Sequence, residues 1–371
     1  MALDPLAWRP QFPVTAKFTY LNHASVAPLS QRCADAMKHL ADDACRYGSA
    51  HYSDWLETYD GVRSSTARLI HARPQEIAIV KNTSEGIATI ALGIDWHDGD
   101  SIVVFSEEFP ANQYVWQRLE SKGVKIRWLS IYDSLDKIDE ACRGARLLAI
   151  SYVNYLSGYR VDLEAIGHIC SSHGVTFFVD AIQGLGAFPI DVQAAQIDAL
   201  AADAHKWLCG PEGCGVLYVA EHLQDDVEPV EFGWTTVAAY NDYASRDLTV
   251  RPDAGRYECG TLNTIGCYGV RAAVDLINEV GVDSIAPHVQ SLGDQIAEGA
   301  VRKGYELLGN RTPETGAGIV SLRKEGMDSA FVIAKLRDHG IQAALRQGWT
   351  RLSPHFYITE EDIDKVIELL P

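Results

Sequence analysis

VTFFVDAIQGLGAFPIDVQAAQIDALAADAHKWLCGPEGCGVLYV, residues 175–219, decides the fold. Five apolar or β-branched residues, Val175 to Val179, run up to a carboxylate at Asp180, the pattern of a strand buried on both faces. Residues 197–201 and 215–219 (GVLYV) read as two further strands. Between them Asp203-Ala204-His205-Lys206-Trp207 leads into the turn Gly210-Pro211-Glu212-Gly213. A carboxylate and a lysine at the ends of apolar strands are poorly solvated and need partners. Lysines in such places lose proton affinity and become amine nucleophiles. Taken alone, Asp180 and Lys206 describe no more than a buried ion pair.

Working outward, residues 77–81 (IAIVK), 102–105 (IVVF) and 147–151 (LLAIS) are further strands. Asn82-Thr83-Ser84-Glu85 supplies capping residues for a helix after the first, and a helical stretch at 162–173 precedes residue 175. Continuous apolar strands alternating with helices predict an α/β domain with a mostly parallel sheet covered on both faces. From about 265 the pattern changes to helices near 265–280 and 287–303, a strand at 318–322, a helix at 329–338, short strands near 341–352 and a closing helix at 360–369. That is a smaller α+β unit. The expected division is an N-terminal segment, 1–30, packing with the small domain, a large domain over 31–260 and the small domain over 261–371.

The composition agrees with this size. The chain has 371 residues, 47% hydrophobic and 22% charged, which excludes disorder for most of it and suits roughly two domains. A formal charge of −18 without a Lys/Arg cluster argues against nucleic acid as a partner. No apolar run reaches the ~18 residues of a membrane span, and MALDPLAWRPQFP lacks the basic-then-apolar order of a secretory signal. The eight cysteines show no C-x-x-C or zinc-like spacing, so no metal is expected and they read as reduced thiols of a cytoplasmic protein.

In an open parallel sheet, ligands sit beyond the carboxyl ends of the strands. The polar residues there are Thr83 and Ser84, Glu107 to Asn112, Asn154 and Tyr155, Asp180 and Gln183, and Asp203 to Lys206. Thr83-Ser84-Glu85-Gly86 opens a helix whose free N–H groups and hydroxyls suit a phosphate, although the same residues serve as an ordinary cap. Phe109 follows another strand and has the shape to lie flat on a ring. A lysine, a buried carboxylate, a phosphate cradle and an aromatic cover are the parts that hold pyridoxal phosphate. A nicotinamide site is the competing enzyme class, but Gly184-Leu185-Gly186 lacks the third glycine of that fingerprint and Pro189 stands in its place.

The segments YLNHASVAP (20–28), KNTSEG (81–86), EFPAN (108–112), VDAIQGLGAFPIDV (179–192), DAHKWLCGPEGCGVLYV (203–219), RYECGTLN (256–263) and RLSPHFYITEEDID (351–364) together resemble the class V aminotransferase family of fold-type I pyridoxal-phosphate enzymes. That family includes cysteine desulfurases, isopenicillin N epimerase, kynureninase and cystine C–S lyase. The resemblance implies a seven-stranded large-domain sheet and a homodimer with shared active sites. It implies that Lys206 forms the aldimine with the cofactor and shuttles the proton. Asp180 would pair with the pyridine nitrogen, Gln183 would contact the ring oxygen, and Phe109 would stack on the ring. Thr83, Ser84 and His205 would contact the phosphate, and Thr261 would reach the phosphate of the other subunit. Arg351, assisted by Arg346 and Asn22, would bind the substrate, with Arg351 gripping the α-carboxylate.

Four departures from the family pattern matter. Tyr155 stands where desulfurases carry an asparagine near the ring oxygen, and Asn154 beside it is the candidate substitute. Asp203 stands where relatives carry Ser or Thr, and a carboxylate should turn away from a phosphate toward backbone N–H groups. Phe109 replaces the ring-stacking histidine of desulfurases. Only Gln347-Gly348-Trp349-Thr350 separates Arg346 from Arg351, and no cysteine follows Cys267, which disfavours the usual persulfide chemistry. The expected activity is α-proton abstraction from a small amino acid, leading to transamination or β-elimination of the C–S lyase kind. Epimerisation, desulfuration and a non-catalytic cofactor-binding protein are the alternatives.

Overall fold

Strands that are apolar on both faces are stable only as the middle layer between helices. The computed structural model, which describes residues 3–371, arranges them so. After a short β1 (Thr19–Tyr20) come β2 (Ile77–Val80), β3 (Ser101–Phe105), β4 (Lys125–Leu129), β5 (Leu147–Ser151), β6 (Thr176–Asp180), β7 (Ala199–Asp203) and β8 (Gly215–Val219). The last seven form one sheet in the order β2-β8-β7-β6-β5-β3-β4. Strands β3 to β7 pair in parallel, while β8 runs antiparallel to both β7 and β2. Successive residues feed opposite cores: Ile102 and Val104 pack with Ile87, Ile90 and Trp116, whereas Val103 and Phe105 belong to the larger core with Ile166 and Val270.

Two strands of this sheet differ from the sequence reading by more than one residue. β4 was not expected, because Lys125-Ile126-Arg127-Trp128-Leu129 mixes charge with apolar residues; it is the edge strand, only half-buried, where charge protects against stray pairing. β7 starts two residues later than residues 197–201 predict. Asp198 is excluded from it and instead accepts the Phe177 N–H (2.7 Å) and holds His222 (2.8 Å). That shift makes Asp203 the last residue of the strand, opposite Gly215.

The C-terminal part begins with helices Thr264–Val280 and Val282–Arg302. The second starts five residues earlier than expected and carries Pro287 inside its opening turns, at the loss of one backbone hydrogen bond. A four-stranded antiparallel sheet follows, ordered β12-β13-β10-β9 and built from β9 (Glu306–Leu307), β10 (Val320–Arg323), β12 (Ala344–Arg346) and β13 (Trp349–Leu352). Helices Ser329–Asp338 and Glu360–Leu369 accompany it. β11 (Ile341–Gln342) pairs in parallel with β1, and Asn22 bridges to Ser353, so the first residues of the chain run along the last. Among the described residues no helix is long and apolar enough to cross a membrane, and no group of three or more His, Cys, Asp or Glu converges as a metal site.

Candidate active site

The carboxyl ends of β5, β6 and β7 bring Ser151, Asp180 and Asp203 to one rim of the sheet. Asp180 is 2% exposed and its Oδ1 accepts the N–H of Ile182 at 3.0 Å. Burial lifts its carboxyl to about 6, against the pull of that N–H and of Lys206. Burial lowers Lys206 to about 8; Asp180 opposes this, while Arg351 and Arg346 add to it. The two groups feel each other's charge, yet no salt bridge within 4.0 Å joins them, so the simple buried ion pair does not form. The Lys206 ammonium lies 5.9 Å from the centroid of Phe109, a ring half open to solvent that meets Tyr155 edge-on at 5.2 Å.

Helix Thr83–Gly93 starts on the same rim. Asn82 caps it by accepting the Glu85 N–H (3.0 Å), and Glu85 folds back onto Lys81 (3.1 Å), away from the helix mouth. Thr83 Oγ1 accepts the Asp203 N–H at 3.0 Å and so ties the helix start to the end of β7. Gly86 permits this closeness: a Cβ there would sit 2.7 Å from Ala201 Cβ. Ser84 stays exposed at the helix N-terminus. Asp203 turns onto its own chain, accepting the Ala204 N–H (2.7 Å) and lying 3.0 Å from His205 Nδ1.

The N-terminal segment closes the rim from the other side. Ala27 N–H donates to His205 O (2.7 Å) and Gln183 Nε2 to Ala24 O (3.0 Å). Gln183 Oε1 accepts the Trp207 indole N–H at 2.8 Å, so its amide spans the N-terminal segment and the Lys206 loop. His23 is fully buried between Ser353 O (2.8 Å) and Tyr357 Oη (2.7 Å). Arg351, 2% exposed, donates from Nη1 to Tyr155 O and from Nη2 to Ser25 Oγ, both at 2.6 Å. Its Nε is buried without a partner. Arg346 donates to the same Ser25 Oγ at 3.1 Å. The turn between β12 and β13 is only Gln347-Gly348, both at positive φ (48° and 82°), the geometry of a two-residue hairpin. Gln347 Nε2 donates to Tyr155 Oη at 2.8 Å.

Lys206, Asp180, Gln183, His205, Thr83, Ser84, Phe109, Arg351 and Arg346 thus share one rim. Asn154 is held by its own turn. Its Oδ1 accepts from Leu156 N, Ser157 N and Ser157 Oγ, and its Nδ2 donates one hydrogen to Glu107 O, which leaves the second Nδ2 hydrogen without a partner in the chain. Thr261 is exposed beside Lys81 and Glu85, at a shallow cavity of about 120 Å³, rather than against Lys206 of its own chain. Asn22 keeps a buried Oδ1 without a partner. Sequence reasoning passed over Ser25 and gave Gln347 and Glu108 no role of their own. Ser25 and Glu108 lay inside quoted motifs, but nothing local marked a small hydroxyl as the meeting point of two arginines. Glu108 accepts the Ser151 N–H (2.6 Å) and the Ser151 hydroxyl, and burial, with Asp180 adding, lifts its carboxyl to about 7.

These residues fit a pyridoxal phosphate. The amine has a lowered proton affinity, the carboxylate opposite has no bound cation, the helix N-terminus is open, and Arg351 Nε and Asn22 Oδ1 remain orphaned.

The Aminotransferase class-V family profile matches residues 19–366. An uncharacterized aminotransferase, YcbU of Bacillus subtilis (strain 168), is 29% identical over 98% of this chain and 96% of its own length. A probable cysteine desulfurase of Pyrococcus abyssi is 30% identical over 98% and 96%. The apo structure of a cysteine desulfurase from Thermococcus onnurineus NA1 superposes with a TM-score of 0.91 at 26% identity, over 100% of this chain and 97% of that one. With this fold and match along its length, the chain belongs to the class-V aminotransferase family of pyridoxal-phosphate-dependent enzymes.

Proposed function

We propose that the chain acts on a small amino acid by removing its α-proton with Lys206, followed by transamination or β-elimination. The observation that carries this reading is the separation of Lys206 from Asp180, beside a buried arginine with no acid to neutralise it. Bound there, pyridoxal phosphate supplies an electron sink for the pair left when the Cα–H bond breaks. Arg351 holds the α-carboxylate through a charge-assisted pair and fixes which face of Cα meets Lys206. The Lys206 amine, lowered to about 8, takes the proton from Cα near neutral pH and is able to return it. Asp180 would hold a proton at the ring nitrogen of the bound cofactor. Phe109 would provide a flat aromatic surface for the cofactor ring. The Thr83–Ser84 helix start, with His205, binds the phosphate. Gln183 retains a second Nε2 hydrogen for the ring oxygen while its amide keeps Trp207 in place.

Persulfide chemistry is the weaker reading. It needs a mobile cysteine at the site, and the two-residue turn at Gln347-Gly348 leaves no room for such a loop. Of the eight unpaired cysteines only Cys45 is exposed and Cys259 half-exposed, and Cys259 Sγ bonds Glu231. We also propose that the enzyme is a cytoplasmic homodimer, with segments 1–30, 31–260 and 261–371 as its structural units. The unpaired thiols support the compartment, and exposed Thr261 supports a shared site.

A panel of L-amino acids tests the reading. Each is scored for change in the cofactor absorbance and for keto acid, ammonia, thiol and D-isomer. Keto acid with an aminated cofactor identifies transamination; keto acid with ammonia and a thiol identifies elimination. The D-isomer alone would transfer the assignment to epimerisation, and no spectral change with any amino acid would reject the reading.

A further inference from the structure

Two arginines meet at one neutral oxygen. Arg351 Nη2 and Arg346 Nη2 both donate to Ser25 Oγ, at 2.6 and 3.1 Å. Neither guanidinium has a carboxylate within 4.0 Å among the described residues, in a chain with 50 acids and 32 basic residues. Like charges so placed are costly. Arg351 faces Ala344 and Arg346 faces Trp349 across the β12–β13 hairpin, which makes the arginines diagonal neighbours on one face. Burial, then Arg346, pushes Arg351 down to about 10, the mark of a cation that lacks an anion.

One α-carboxylate does not use this capacity. A guanidinium has five N–H donors and satisfies a carboxylate through two of them. Arg351 has committed two donors to Tyr155 O and Ser25 Oγ and still has Nε and one hydrogen on each Nη. Arg346 has its own set, with contacts only to Ser25 Oγ and, at 3.5 Å, to Leu345 O. Ser25 Oγ accepts both arginines, so its own O–H is left over as a further donor for an anion. Arg351 is buried and Arg346 exposed, so the two positive groups lie at different depths on the path to Lys206.

From this arrangement we infer that the substrate is an amino acid with a second anionic group on its side chain: the α-carboxylate goes inward to Arg351 and the side-chain anion is met by Arg346 at the mouth. This rests on the proposed amino-acid reaction at Lys206 and names its substrate class. Arg346 is then a specificity-determining residue, and Ser25 holds the two guanidinium groups at the required spacing.

The test compares matched pairs on the holoenzyme at fixed ionic strength: L-aspartate with L-asparagine, L-glutamate with L-glutamine, and O-phospho-L-serine with L-serine. At least one acidic member should exceed its neutral partner in kcat/KM by roughly tenfold or more. The pair in which this occurs identifies the carboxylate length or the phosphate. Arg346→Gln should bring the ratio close to one, and Arg346→Lys should retain part of it. A ratio at or below one in every pair overturns the inference, as does an unchanged ratio in Arg346→Gln; turnover of neutral amino acids in those cases leaves the reaction reading intact. An absorbance that responds to no amino acid overturns the reading beneath.

Discussion

Arg63 and Arg351 are both largely buried, on different parts of the molecule, and are treated in opposite ways. Arg63 bonds Asp60 (2.8 Å) and Glu258 (2.6 Å), and Glu258 in turn accepts the Ile79 N–H (2.9 Å). Burial alone would weaken its hold on the proton, but Glu258 outweighs that and raises it. Arg351 has only the neutral oxygens of Tyr155 and Ser25, and its proton affinity falls. Lys206 and Asp180 repeat the second pattern. Away from the rim, acids neutralise Arg63; at the rim of the large sheet Arg351, Lys206 and Asp180 are left unmatched, at a cost in stability that fits the proposed binding of an outside group.

The hardest test of this contrast removes the amine. Lys206→Ala should lower turnover about a thousandfold, the share expected of a positioned acid–base group, while thermal unfolding of the apoprotein shows no loss of stability. Arg63→Ala should do the reverse. Leaving Glu258 buried and unpaired should cost about 3–5 kcal/mol in denaturant unfolding, with kcat/KM of the folded enzyme little changed. Arg351→Ala should raise KM for α-amino acids by about a hundredfold, leave simple amines unaffected and cost no stability. Equal effects on amines and amino acids would deny that it grips a carboxylate.

The smallest effect concerns pH. Glu108 holds its proton more tightly folded than unfolded, since burial lifts it to about 7. Its contribution to apoprotein stability is therefore complete below the ordinary carboxylate range and is lost as pH rises through about 7. Between about pH 6 and about pH 8 the parent should lose on the order of 1 kcal/mol from this group, and Glu108→Gln should remove that loss. Melting curves at the two pH values would reveal a persisting slope if Glu108 were not its source.

Much of the large domain was legible in the sequence because its strands are continuously apolar and end in polar residues at regular intervals. Asp180, Lys206 and Thr83 were visible for the same reason: each is polar at a place where the pattern calls for burial or a cap. The edge strand β4 was hidden, since an exposed edge carries the mixed charge of a loop. The turn that Asn154 folds was hidden too, because an asparagine after a strand serves a turn as readily as a ligand. Ser25 was invisible as a site residue because its importance comes from two arginines more than 300 positions away in the chain. Local pattern carries local geometry; convergence of distant segments appears only in the folded chain.

The central claim is that Lys206 is the amine the cofactor occupies, opposite Asp180. Borohydride reduction of the yellow holoprotein, followed by peptide mapping by mass spectrometry, tests it most directly. Bleaching is expected, with the phosphopyridoxyl group fixed on the peptide that contains Lys206. The same group on another lysine, such as Lys81, or an unmodified Lys206 after bleaching, would contradict it.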